Sequence, residues 1–159
     1  NNSTCNVPAY RDPGNGEIYY NGHAAADSRN LCPSGWHMPT KADFALLLDN
    51  FGNYDASQTE WIGSGAALKS TNFTGPFVWS NPNLANNNSH LNMLATKMMY
   101  CSSNSTFYLD EGHFWTNEAD VWGSSQHYLQ VRGSNNNVNF GGHSGYPSSY
   151  LSSCRCVKD

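Results

Sequence analysis

Charge is what this sequence has least of: only 13% of its 159 residues are Asp, Glu, Lys or Arg, and the net charge is −4. No run of Lys or Arg offers a footprint for a phosphate backbone, so nucleic acid is excluded as an expected partner. No apolar stretch approaches the roughly 20 residues of a membrane span, and no direct membrane insertion is expected. There is no CxxC pair, no GxSxG elbow, and no metal-ligand spacing among His23, His37, His90, His113, His127 and His143. Zinc, serine-hydrolase chemistry and cofactors therefore have nothing to hold them. Gly63-Ser64-Gly65 likewise lacks the rest of a dinucleotide loop. The start at NNSTC has neither Met nor a signal h-region, which points to a mature or trimmed piece of a larger chain or assembly.

What is present is burial material and cysteine. Hydrophobic residues make up 38% and aromatics 13%, with five tryptophans spread along the chain, enough for one domain over 1–159. Cys5, Cys32, Cys101, Cys154 and Cys156 are too scattered for a zinc knuckle and read as disulfide formers. An oxidising, extracellular location on a cell or virion surface follows, with the odd count leaving at least one thiol free or paired between chains. The sequons at Asn72 and Asn104 matter only in a host that glycosylates.

PTKADFALLLDNFGN carries both helix signals: Thr40 as N-cap with Asp43 three residues on, an apolar face of Phe44, Leu47, Leu48 and Phe51, and Gly52 as stop. A helix over 40–51 is predicted. The pattern Ser57-x-x-Glu60 predicts a second, short helix near 57–63. Beyond Leu68, Pro, Gly and Asn punctuate short apolar runs, which favours loops and brief strands. LNMLATKMMYC reads as a strand, followed by turns at SSNS and LDEGHFW. HYLQVR and NVNF alternate about a GSNNN turn, predicting a hairpin with Leu129, Val131, Val138 and Phe140 facing a core. Strands thus frame the polar stretch 133–153, which reads as an ordered loop surface.

LCPSGWHMPTKADFALL (31–47) and the closing CVKD (156–159) resemble the Fibrobacter succinogenes major paralogous domain, which carries LCPSGWHxPT early and ends in VRCVKD. GAALKS, LNMLATKMMY and HFWTNEA are similar to weaker motifs of that family, and the resemblance runs from about residue 19 to 159. It implies an α+β, C-type-lectin-like fold: two helices on a small twisted antiparallel sheet, with long irregular loops and the termini close together. A β-sandwich is the main alternative. The family is also similar to the variable proteins of diversity-generating retroelements, in which Asn codons near the C-terminal end are randomised before an unvaried closing motif.

From the resemblance come a Cys32–Cys156 disulfide and, for Cys154, pairing with Cys101 in preference to Cys5. A bridge closing so long a loop contributes on the order of 4 kcal/mol by chain entropy. Trp36, His37 and Trp115 are expected in the core. Formylglycine-generating enzymes share the fold and use cysteines with copper, but a fold analogy is a weak warrant for chemistry, and no catalytic residues are assigned. The calcium loops of sugar-binding lectins have only SNPN and WTNEAD as counterparts here, without the spaced carboxylates a calcium site needs.

Resemblance and composition together point to a binding module that displays a recognition surface rich in Asn, Ser and Tyr, an alphabet suited to combining sites. Its partner would be a protein or glycan receptor on another cell or particle, met by a surface protein, pilus or phage fibre. A non-variable structural or assembly domain is the runner-up. Pleat alternation turns Tyr128, Gln130, Arg132, Asn137 and Asn139 outward, and the flanking loops add Asp120, Trp122, Asn135, His143, Tyr146 and Tyr150 as ligand-binding candidates. Truncating an aromatic anchor among them to Ala is expected to cost a bound partner about 2 kcal/mol or more. Thermal melts of Trp122→Ala and Tyr146→Ala should stay close to the parent protein, whereas Leu129→Ala loses roughly 2–5 kcal/mol as a buried truncation. Aromatic variants melting as low as the leucine variant would place those rings in the core.

Overall fold

The computed structural model describes residues 5–12, 17–72, 78–81, 84–96, 98–103, 106–107, 110–119, 125–142 and 149–159. Among these residues the architecture is α+β, with three short helices and antiparallel sheets. The helices are α1 (Gly22–Ala25), α2 (Lys41–Asp49) and α3 (Gly65–Leu68). One five-stranded sheet has the order β4 (Asn53–Asp55), β5 (Glu60–Ile62), β10 (Val138–Gly142), β9 (Gln126–Arg132), β8 (Glu111–Ala119). A second runs β1 (Tyr10–Arg11), β2 (Tyr19–Asn21), β11 (Tyr150–Ser152), β6 (Met98–Tyr100), β7 (Thr106–Phe107). The two meet where Trp115 donates its amide to the Ser153 carbonyl at 3.0 Å and its indole to Tyr20 O at 2.7 Å.

The α2 start follows the sequence closely. Thr40 Oγ1 accepts from Asp43 N at 3.1 Å while the Thr40 amide donates to Asp43 Oδ2 at 2.8 Å, a reciprocal cap that satisfies two otherwise orphaned donors. The buried Phe44 and Leu48 then pack on one face of the first sheet, against Trp61, Phe114, Leu129, Val131 and Val138. The helix predicted near 57–63 does not form. Asp55 Oδ1 accepts from both the amide and the hydroxyl of Ser57, and Oδ2 from Gln58 Nε2, so Ser57 turns a β4–β5 hairpin instead of capping a helix. Trp61 is drawn into the sheet opposite Val138, its indole donating to Asp49 Oδ1 at 2.7 Å. The turn expected at LDEGHFW is likewise strand: β8 begins at Glu111 and runs through HFW.

The closing segment CRCV reads from sequence as a strand completing the sheet beside HYLQV, and it is placed differently. CRCV completes neither large sheet; β12 (Val157–Lys158) pairs with β3 (Trp36–His37) as a separate ribbon. Outside the main cores, Trp36 is 40% exposed and not a core residue, while Trp115 is fully buried. Half-buried His37 lies between carboxylates, its Nδ1 2.7 Å from Asp159 and its Nε2 3.3 Å from Asp43. The Cys32–Cys156 disulfide forms beside this ribbon.

Cys101 pairs with Cys5, not with Cys154, which stays a free thiol. The cause is Asn21, fully buried at the α1 cap. Its Oδ1 accepts from Ala9 and Ala24 amides and its Nδ2 donates to the Cys5 and Val7 carbonyls, fastening the N-terminal segment beside Tyr19, Met99 and Leu151. Cys154 packs instead on the cluster of Met38, Met98, Trp115 and Tyr128.

Two measurements follow. One thiol per chain should react in denaturant without reductant, and Cys154→Ala should cost within about 1 kcal/mol, whereas replacing Cys32 and Cys156 together by Ser should cost about 4 kcal/mol. Hydrogen bonds to Asp159, then Asp43, hold His37 above its ordinary pKa. A raised histidine adds stability below its unfolded pKa of about 6.5 and loses it as pH rises through the folded value. The stability lost in His37→Gln should therefore be larger at pH 5.5 than at pH 8.5.

Candidate functional site

The first sheet has two unlike faces. Alternation along β8, β9 and β10 sends Phe114, Leu129, Val131 and Val138 to the α2 side and Trp115, His113, Tyr128, Gln130, Arg132 and Asn139 to the other. That second face is itself divided. At one end Tyr128 is buried, edge-on to Trp115 at 6.0 Å and to His113 at 5.0 Å, inside the second core cluster. This corrects the outward placement of Tyr128. Its ring lies across Gly141, where a Cβ would come within 2.4 Å of the ring, so the glycine opposite makes room for it.

At the other end the face is polar and half-buried. Arg132 Nη1 donates to Glu60 Oε1 at 2.7 Å and Nη2 to Gln130 Oε1 at 3.0 Å; Gln130 Nε2 donates to Glu111 Oε2 at 2.8 Å. His113 Nε2 meets the same Glu111 oxygen at 3.0 Å, and Asn137 Nδ2 donates to Glu60 Oε2 at 3.0 Å. Six side chains from three strands and the hairpin turn thus form one continuous row. Asn139 stands within it, opposite Gln130 and Glu60, and its buried Oδ1 has no hydrogen-bond partner among the described residues.

The electrostatics follow the contacts. The Arg132 hydrogen bond, against the cost of burial, holds Glu60 below the usual carboxylate range. Burial pushes Glu111 upward, but the hydrogen bonds from His113 and Gln130 outweigh it and the group also sits low. Both carboxylates are ionised acceptors at neutral pH, facing one guanidinium. Ion pairs this accessible contribute on the order of 0–1 kcal/mol to folding, so the row orders the face more than it stabilises it.

Of the candidates read from sequence, Gln130, Arg132, Asn137 and Asn139 share this face, and Asn135 sits in the adjoining turn, its Oδ1 accepting from Asn137 N at 2.9 Å. Tyr150 lies in the second sheet, half-buried on the second cluster with its ring 5.5 Å from Tyr100. Asp120, Trp122, His143 and Tyr146 lie outside the described residues. Sequence reasoning missed Glu60, Glu111 and His113. The alternation in EGHFW was the available signal for the last two, hidden by reading LDEG as a turn.

Among the described residues no three His, Cys, Asp or Glu side chains converge as metal ligands, and no helix is long and apolar enough to cross a membrane. Two disulfides fit a domain outside the cytoplasm. No curated protein and no solved structure matches the chain. The family model of the Fibrobacter succinogenes major domain matches residues 2–158, taking in the Cys5 region that the motifs alone had left out, and the chain belongs to that family.

Proposed function

We propose that this domain is a recognition module, C-type-lectin-like in architecture, that binds a protein or glycan receptor through the polar half of its first sheet and the turn beside it. The observation that carries the reading is the row Asn137–Glu60–Arg132–Gln130–Glu111–His113, with the orphan acceptor of Asn139 inside it. An unsatisfied buried acceptor costs free energy in the isolated domain, and a shift of the row on binding that opens it to a donor would recover that cost. The side chains of this face, Arg132 above all, hang on strands whose other side is a packed core, and Asn137 sits in the turn beside them, so they are replaceable without disturbing the fold. That is the property a surface diversified by a retroelement requires, and display on a cell, pilus or phage particle belongs to the same proposal.

An enzymatic role is disfavoured by the free thiol. Burial pushes Cys154 up, away from the thiolate that nucleophilic or copper chemistry needs.

The test is the coding segment itself, sequenced across many members of one population. Substitutions should concentrate at Gln130, Arg132, Asn135, Asn137 and Asn139 and spare Leu129, Val131 and Val138. An adenine-rich near-copy beside a reverse transcriptase gene should accompany them. A segment that never varies, or varies equally at core positions, returns the domain to a structural or assembly role.

A further inference from the structure

Residues 133–137 turn β9 into β10 at the edge of the polar face, and they are gripped from outside the hairpin. Lys69 Nζ donates to the Asn135 carbonyl, Gly65 N donates to the Asn136 carbonyl at 2.8 Å, and Gly133 N donates to the Asp110 carbonyl at 2.8 Å. Each of these bonds ends on a main-chain atom of the turn. The approach is close enough that a Cβ on Gly65 would lie 2.9 Å from the Asn136 oxygen. Lys69 is fully buried at the end of α3, its Nζ 5.3 Å from the centre of the Trp79 ring. Asn136 Oδ1 adds a weak contact to it at 3.4 Å. Burial pulls the Lys69 pKa down to about 8, with the charge of Asp110 opposing the shift. A buried lysine is costly, and what it does here is hold the turn.

We infer that Ser134–Asn137 is a specificity-determining loop held from outside through its main chain, with Lys69 as the positioning residue, so that the side chains of Ser134 and Asn136 are free to change. Backbone carbonyls are common to every residue type, and a grip on them survives replacement of the side chains beside it. Exposed Ser134, and Asn136 apart from its weak contact, are the positions where new chemistry enters at least structural cost. The inference deepens the proposed recognition function and rests on that reading for its purpose, though not for its geometry.

Amide exchange followed by NMR at Gly65, Gly133 and Asn137 tests it. Lys69→Met should speed exchange at these amides roughly 10- to 100-fold, the loss expected of a charged hydrogen bond, while Leu129 and Val131 amides stay unchanged. Lys69→Arg, which keeps a buried donor, should restore much of the protection. The double variant Ser134→Tyr, Asn136→Tyr should remain within about 3-fold of the parent, less than one hydrogen bond's worth. If the tyrosine variant loosens the turn as far as 10-fold, or Lys69→Met leaves it unchanged, the inference is overturned. Should Lys69→Met fail to fold, the tyrosine variant alone still decides whether the side chains set the shape. No partner enters the measurement, so failure of this grip and failure of the recognition reading appear in separate experiments.

Discussion

The covalent closure of Cys32 to Cys156 is the constraint on which the remaining geometry rests. It brings the two family motifs into one knot, where β3 pairs with β12, the Asp159 amide donates to Gly35 O at 3.1 Å, and His37 links Asp159 to the α2 cap. From there the order passes outward. Lys41 at the start of α2 donates its amide to Glu118 Oε1 at 3.1 Å, and Asn117 N donates to Pro39 O at 2.9 Å, so β8 is aligned on the helix start. With α2 held to β8, the sheet that β8 edges turns Phe114, Leu129, Val131 and Val138 toward Phe44 and Leu48.

The sheet is then covered unevenly, and that unevenness makes the candidate site. Among the described residues, one face is closed by α2 and the other is closed where the second sheet reaches it, over Trp115 and Tyr128. The remaining half-face meets its polar groups largely within itself, through the Glu60–Arg132–Gln130–Glu111 row, while Asn139 Oδ1 is left without a hydrogen-bond partner among the described residues. Buried and polar side chains thus divide the strands of this sheet by rows.

Period-two and cap signals were legible because they act locally. Thr40 and Asp43 fix the α2 start, and the Leu129/Val131 and Val138/Phe140 alternation fixes the hairpin register, whatever packs around them. The second helix was misread because Asp55, two residues ahead of Ser57, competes for the hydroxyl that a cap would need. Alternation also tells which face a side chain takes but not how far a distant sheet extends over that face, so Tyr128 could not be separated from Gln130. The pairing of Cys5 was illegible for the same reason: it depends on Asn21, sixteen residues on, folding back over the N-terminal strand. Asp120, Trp122, His143 and Tyr146 were candidates on composition and resemblance, and sequence alone offers no contact by which to place them.

The two disulfides interleave along the chain, Cys5 to Cys101 across Cys32 to Cys156. A protease that cuts once anywhere between the first and last of these cysteines therefore releases nothing, because every such cut falls inside at least one covalent ring. Between Cys32 and Cys101 it falls inside both. The domain can be nicked once in a loop and still remain a single molecule, with its strands held in place for refastening by non-covalent packing alone.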